Sequence, residues 1–325
     1  MLRRAAAALV LLAACGGGAA KQAVTTTSTA PTTTTTIAPT TTTTVPLPAM
    51  RSAAANVLAT PKGFILPVEG GHPGAWSVMT PCARTAIVHG GTTIGAATVV
   101  LDPGHGGAGE TGAVGPGGTV ERDLNLEISQ KLKATLERAG ATVVLTRTGN
   151  YRLPLSVRAE IAQRLKPAVF VSVHHNGGND EVRATPGTEV YFQIASPQSK
   201  RLAGLIYEEE LAFFETLPLK AWYSDRDAGA KYRPGQNGGD YYGILRLTKG
   251  ITAVLSEAAF LSDPAEESLL NQPAVQQGEA DAITRGIRRF MLSNDRGSGF
   301  VTPYPRTEPA GGGGGTESCV DPPLE

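Results

Sequence analysis

The sequence predicts an α/β domain, a mainly parallel sheet covered by helices, preceded by a small β-rich extension. Short apolar runs rich in β-branched residues, at 96–101, 142–146, 168–173 and 188–193, read as strands. Between and after them lie segments with helical periodicity, and strands that alternate with helices imply parallel pairing with both sheet faces covered. The alternating region spans about 200 residues, enough for one such domain.

Residues 1–15 have a basic start (Arg3, Arg4), an apolar core up to Leu12 and then Ala13-Ala14-Cys15. That core is too short to cross a membrane and has the flanks of a secretory signal. Leu-Ala-Ala-Cys resembles the lipobox of bacterial lipoproteins, which implies lipidation of Cys15 and a membrane tether. Ordinary cleavage after a small residue is the other reading. Residues 16–50 are mostly Thr, Pro, Ala and Gly, with threonine tracts at 25–27, 32–36 and 40–44. Such a segment has too little apolar surface to offset the entropy of ordering and is expected to be a disordered, extended spacer. At about 3 Å per residue it reaches on the order of 100 Å.

Residues 51–95 contain strand-like stretches at 63–68, 75–79 and 85–88, broken by Gly and Pro, and form the extension. His72 and His89, each beside a glycine, read as loop residues. The main domain spans 96–293. In its first helix, 124–139, Leu124, Ile128, Leu132 and Leu136 lie on one face. Helices follow at 155–165, 198–214 and 274–291, and strands at 244–247 and 253–256. The acidic run Glu208-Glu209-Glu210 reads as the solvated side of a helix. The tail, 294–325, is rich in Gly and Pro and is expected to be mobile, with Cys319 as its anchor.

The chain has 29 Lys+Arg and 29 Asp+Glu; loss of Arg3 and Arg4 with the leader leaves 27 against 29, a net charge of about −2. No basic cluster stands out, so a nucleic-acid partner is not expected. Of three cysteines, one is assigned to lipid. Cys82 and Cys319 remain, a disulfide or two free thiols in an oxidising compartment. No Cys-x-x-Cys pair supports a thiolate metal site.

The chemistry-bearing residues gather at predicted strand ends. The run Val99-Val100-Leu101 stops at Asp102-Pro103-Gly104, so His105 stands at the C-terminal lip of the sheet, where open α/β proteins bind ligands. Glu121 follows a Gly-rich loop, Ser172-Val173-His174-His175-Asn176 ends another strand, and Leu255-Ser256-Glu257 ends a third. Two imidazoles and a carboxylate leave one position of a tetrahedral zinc open for water, the catalytic arrangement. Adjacent strand residues point to opposite faces, so only one of His174 and His175 can face such a metal. The loop lacks Gly-x-Gly-x-x-Gly before a helix and no Walker lysine follows, which excludes a nucleotide cradle.

These blocks resemble the zinc-dependent N-acetylmuramoyl-L-alanine amidases of type 3, bacterial cell-wall hydrolases, over about residues 97–292. The likeness rests on Leu-Asp-Pro-Gly-His-Gly-Gly at 101–107, Val-Glu-Arg-Asp-Leu-Asn-Leu at 120–126, Leu-Thr-Arg at 145–147, and Arg158 with Ala-Glu-Ile-Ala at 159–162. It continues through Ser-Val-His-His-Asn at 172–176, Gly-Ala-Lys at 229–231, Ile-Leu-Arg at 244–246 and Ser-Glu-Ala-Ala-Phe-Leu-Ser-Asp at 256–263. The resemblance implies the amidase, phosphorylase/hydrolase-like fold, Zn2+ as cofactor and His105, Glu121 and His174 as its ligands. Glu257 would move the proton, as a carboxylate beside the metal does in other zinc hydrolases. Glu110, in the glycine-rich loop, is the alternative to Glu121, while Glu127 reads as solvated. His175 stands where the family usually has a small residue and would narrow the cleft or add a donor. With Asn176, Lys231 and Arg246 it makes up the expected substrate contacts, a solvated or structural role being equally open for the two cations. The implied activity is cleavage of the amide between N-acetylmuramic acid and L-alanine in peptidoglycan, in the cell envelope. Another zinc-dependent wall amide hydrolase, peptidase or deacetylase, or a non-catalytic wall-binding lipoprotein are the competing readings. No activator protein is identifiable from the sequence.

Overall fold

The structure is a computed structural model that describes residues 45–177, 185–303, 316 and 319–325. The leader with Cys15, the spacer up to residue 44 and the glycine run 311–315 lie outside the described residues. Residues 45–325 form one compact unit. Among the described residues no helix is long and apolar enough to cross a membrane.

The extension is an antiparallel sheet of β1 (Val57–Ala59), β2 (Ile65–His72), β3 (Ala75–Met79), β4 (Thr85–Val88) and β5 (Thr92–Ile94), in the order β4-β3-β2-β1-β5. The main domain continues with β6 (Val99–Pro103), α1 (Glu121–Arg138), β7 (Val143–Leu145), α2 (Leu155–Leu165), β8 (Val169–Asn176) and β9 (Glu189–Phe192). It closes with α3 (Pro197–Phe214), β10 (Gly229–Lys231), α4 (Gly243–Leu247), β11 (Ala253–Phe260), α5 (Pro264–Leu270) and α6 (Pro273–Leu292). Its six strands run β10-β9-β11-β8-β6-β7. All neighbours are parallel except β11 and β9, so the mainly parallel sheet carries one antiparallel pairing.

Strand alternation divides the core. Val99, Leu101, Val171, Val173 and Val254 pack with the apolar faces of α1, α3 and α6. Val100, Phe170, Ala253 and Leu255 point the other way, to α2, α4 and the first strands of the extension. Burial on both faces is why these strands are continuous apolar runs. In α1, Leu124, Ile128, Leu132 and Leu136 are all buried, and truncating one to Ala costs about 2–5 kcal/mol.

Four expectations need correction. Residues 244–247 are helix α4, not a strand. Adjacent Ile244 and Leu245 are both buried, which a helix packed on α2 permits, and Gln193 Nε2 donates to the Leu245 and Thr248 carbonyls at its end. Residues 45–50 do not belong to the spacer: Leu47 is buried beside α1 and its amide donates to Ala139 O, while Met50 N donates to Thr98 Oγ1. The acidic run of α3 is not a solvated face. Glu208 and Glu209 pair with Arg285 and Arg289 of α6, and Glu210 is fully buried, accepting from Ser256 Oγ at 2.7 Å. Nor are the described parts of the tail loose. Phe300 lies against Phe192 and bridges to Ala230, Arg201 holds the carbonyls of Ser293 and Asp295, and Asp321 accepts from Thr80 Oγ1 and Cys82 N.

Cys82 and Cys319 are disulfide-bonded, joining the extension to the end of the chain across 237 positions. Closing a loop this long removes denatured-state entropy, and a native bridge contributes about 2–5 kcal/mol. Reduction, or Cys82→Ser with Cys319→Ser, should therefore lower the thermal midpoint by several degrees. Catalytic activity at ambient temperature should change far less, because the site lies on the main sheet. An unchanged midpoint in a calorimetric scan would show that the bridge contributes nothing.

Candidate functional site

Past the end of β6 the chain turns sharply, and His105 adopts a left-handed conformation, φ +62°. For a residue with a Cβ this costs of order 1–3 kcal/mol, so surrounding contacts must hold it there. They come from two buried arginines. Arg147 donates from Nε to Pro103 O (2.8 Å) and from Nη2 to Gly104 O (2.8 Å). Arg158 donates from Nη1 to Pro103 O (2.7 Å) and from Nη2 to His105 O (2.5 Å). Arg158 also pairs with Asp102 at 2.8 Å, both almost fully buried. Asp102 accepts further bonds from Thr146 Oγ1 and Ser172 Oγ. Burial alone would raise its pKa, but the Arg158 charge and these hydrogen bonds outweigh it and hold the carboxyl below the ordinary value of 3.8. Burial, and then the charge of Arg158, push Arg147 down to about 10.

Glu121 opens α1, and its buried carboxylate meets both histidines: Oε2 lies 3.1 Å from His105 Nε2, and Oε1 3.1 Å from His174 Nδ1. One ligand atom from each of the three residues falls within 4.8 Å of the others, a group able to hold a metal ion. Ala113 N donates to Oε2 at 2.8 Å. Desolvation would raise the Glu121 pKa, yet hydrogen bonds and charge from the two imidazoles bring it well below the ordinary carboxylate range. Burial lowers the pKa of His174, opposed by its bond to Glu121, which favours the neutral imidazole a metal requires. Two glycines allow this approach. A Cβ at Gly104 would sit 2.2 Å from the His174 ring, and one at Gly112, φ +70°, would sit 2.3 Å from Glu121 Oε2. The Gly-rich loop is held from outside by Glu267, which accepts from Gly117 N and Thr119 N.

In the parallel pair of β11 with β8, Glu257 stands in register with His174 on the same sheet face, and regular pairing stops there. Both strands run on beyond these residues, to Phe260 and Asn176, so neither residue is a strand terminus as expected. Glu257 is buried and its charge helps raise the pKa of Tyr242, after burial itself. A cleft of about 530 Å³ opens over His105 and His174, walled by Leu153, Leu155, Tyr241 and Tyr242.

The other expected residues divide. Glu110 lines the cleft and faces Arg152 at 3.6 Å, so Glu121 and not Glu110 joins the histidines. His175 is not a cleft residue: it projects to the opposite face, where Nδ1 meets Asn125 Oδ1 at 2.8 Å and Nε2 meets Glu279 Oε2 at 3.2 Å. Lys231 is not one either; it is buried against Glu189 at 3.2 Å and Asp227 at 3.6 Å, an internal cation. Arg246 is exposed and donates to the carbonyls of Asp240 and Tyr241, bracing the segment that carries the tyrosines. Asn176 is outside the cleft lining, and its main-chain oxygen accepts from Leu261 N. Sequence reasoning gave no role to Asp102, Arg147 or Arg158. Their signal was present in two arginines and an aspartate standing inside or beside apolar runs, where a charge is costly unless paired.

Residues 99–289, from β6 into α6, match the family model described as N-acetylmuramoyl-L-alanine amidase. The chain is 33% identical over 214 residues to the uncharacterized protein YqiI of Bacillus subtilis, covering 65% of this chain and 91% of that protein. It is 31% identical over 223 residues to N-acetylmuramoyl-L-alanine amidase AmiA of Salmonella typhimurium, covering 59% and 75%. Among solved structures it resembles an N-acetylmuramoyl-L-alanine amidase from Clostridium difficile 630, with a TM-score of 0.53 and 28% identity over 62% of this chain and 99% of that one.

Removing Asp102 strands the buried Arg158 charge, so Asp102→Asn should cost about 3–5 kcal/mol at neutral pH. Because the folded pKa of Asp102 is depressed, its contribution is full above the unfolded value near 3.8 and is lost as pH falls through the folded one. Urea unfolding from pH 7 down to pH 3 should show this acid-side loss in the wild type and less of it in Asp102→Asn.

Proposed function

As a member of the N-acetylmuramoyl-L-alanine amidase family the chain is a peptidoglycan hydrolase, and we propose that it works through zinc held by His105, Glu121 and His174. The bond cut is the amide between the lactyl group of N-acetylmuramic acid and the L-alanine of the stem peptide. The observation that carries the zinc reading is the convergence of these three ligand atoms within 4.8 Å, at the cleft that His105 and His174 line. Two imidazoles and a carboxylate fit zinc with one tetrahedral position left open, and a buried carboxylate such as Glu121 gains from a cation. Bound there, zinc supplies Lewis acidity, lowering the pKa of water towards about 7 and polarising a carbonyl.

The chain's own groups supply the rest. Glu257, in register with His174, takes the proton of the attacking water on a carboxylate oxygen and delivers it to the departing alanine amine. Leu153, Leu155 and Tyr242 line an apolar wall that excludes bulk water and strengthens electrostatic effects inside the cleft. Among the described residues that line the cleft there is no cluster of lysines or arginines, which suits a glycan–peptide junction more than a polyanion.

Chelation should abolish release of stem peptides from purified peptidoglycan, and added zinc should restore it; full activity without metal would sink the zinc reading. Mass spectrometry should find a free L-alanine amine on the products, where a peptidase or a deacetylase would leave other ends. Glu257→Ala should keep its zinc and lose activity by about 10²- to 10⁴-fold. Loss of zinc in Glu257→Ala, with retention in Glu121→Ala, would reverse the two roles.

The chain acts in the cell envelope, tethered through a lipid on Cys15, with residues 16–44 as a spacer that reaches on the order of 90 Å. Leu12-Ala13-Ala14-Cys15 and the threonine tracts support this reading. In detergent phase separation of cell extracts the wild type should enter the detergent phase, and Cys15→Ala should not. Equal partitioning of the two would remove the anchor.

A further inference from the structure

On the sheet face away from the cleft, a line of buried polar side chains runs from α6 to the carboxylate of Glu121. Glu279 on α6, His175 on β8 and Asn125 on α1 are each within 1% of complete burial. Glu279 Oε2 faces His175 Nε2 (3.2 Å), His175 Nδ1 faces Asn125 Oδ1 (2.8 Å), and Asn125 Nδ2 donates to Glu121 Oε1 (3.1 Å). The His175 main-chain N–H donates to the same Glu121 oxygen at 3.2 Å.

Hydrogen-bond chemistry gives this line one arrangement. A carboxylate that meets two imidazoles and two N–H groups is an acceptor, so the Asn125 amide must turn its nitrogen to Glu121 and its oxygen to His175. His175 must then carry its hydrogen on Nδ1, leaving Nε2 to share a proton with Glu279. Each member is oriented by the next, and the last is Glu121.

We propose that His175 and Glu279 are positioning residues for the metal centre: through Asn125 they hold the Glu121 carboxylate in the orientation in which it joins His105 and His174. This rests on the metal reading above. A small side chain at position 175 could reach neither partner and would leave Asn125 Oδ1 and Glu279 Oε2 buried without their imidazole. Groups that orient a metal ligand set affinity as well as activity, typically by about 10- to 100-fold.

The test is zinc affinity, measured by competition with a chromophoric chelator, alongside urea unfolding of the metal-free proteins. Glu279→Leu and His175→Leu should bind zinc about 10- to 100-fold more weakly than the wild type. Glu279→Gln, whose amide can still bond His175 Nε2, should remain within about threefold by the same reasoning. A merely structural role would lower metal-free stability in the leucine variants and leave affinity unchanged in the folded fraction; that result overturns the proposal. Where a leucine variant does not fold, Glu279→Asp, too short to reach His175, takes its place, and wild-type affinity there overturns it equally. A wild-type protein that binds no zinc overturns the metal reading itself, an outcome distinct from wild-type binding that the variants share.

Discussion

Two guanidinium groups, neither with more than 2% of its residue's surface in solvent, hold the three carbonyls of residues 103–105 at the C-terminal edge of the sheet. The remainder of the site depends on that hold. A left-handed histidine does not persist unless its surroundings over-determine it, and five directed bonds from two rigid forks supply the constraint when the bond to Asp102 is included. Two like charges this close are themselves costly. Asp102 offsets part of that cost, and the other donors are taken by the carbonyls of residues 103–105 together with those of Arg122, Gly149 and Leu153. The pair thus fixes the edge that carries His105, and Arg158 also contributes to the lining of the cleft.

Strand alternation then divides labour across the sheet. His174 faces Glu121 and the cleft, while the next residue, His175, faces Asn125 and Glu279 among the helices. The same division occurs one strand away, where Ser256 bonds the buried Glu210 and Glu257 turns to the cleft side. Glu210 is held well above the ordinary carboxylate range by its burial and by the charge of Glu279. Polar groups on the rear face are bonded in two groups, His175 of β8 with Asn125 of α1 and Glu279 of α6, and Ser256 of β11 with Glu210 of α3. A network of this kind raises the penalty for any shift of α1, which carries Glu121.

The fold was legible from particular residues. Val99 to Leu101 and Val169 to Val171 have no polar interruption because both faces are covered, and the spacing of Leu124, Ile128, Leu132 and Leu136 could describe only a helix. What misled was brevity. Ile244-Leu245-Arg246-Leu247 has too few residues to distinguish a helical period from a strand run. The three residues of β10, Gly229–Lys231, are a strand only because β9 provides a parallel partner. Val45 to Met50 looked like the end of the spacer because a single leucine carries its packing, and no local pattern predicts that one leucine will find a pocket.

For the site, the sequence by itself determined which residue types stand at the strand ends: a histidine after Asp-Pro-Gly, a histidine pair, and a glutamate after an apolar run. It also limited the pair to one ligand, since neighbouring strand residues oppose each other. Only the tertiary structure decided that Glu121, not Glu110, meets the histidines, that His175 turns inward, and that Lys231 is buried with Glu189 and Asp227. The physical reason is range. Alternation and periodicity are properties of a chain within about ten residues of itself. Pairing between charges 53 or 104 positions apart depends on how α1 and α6 pack against the sheet, and that is set by the whole core at once.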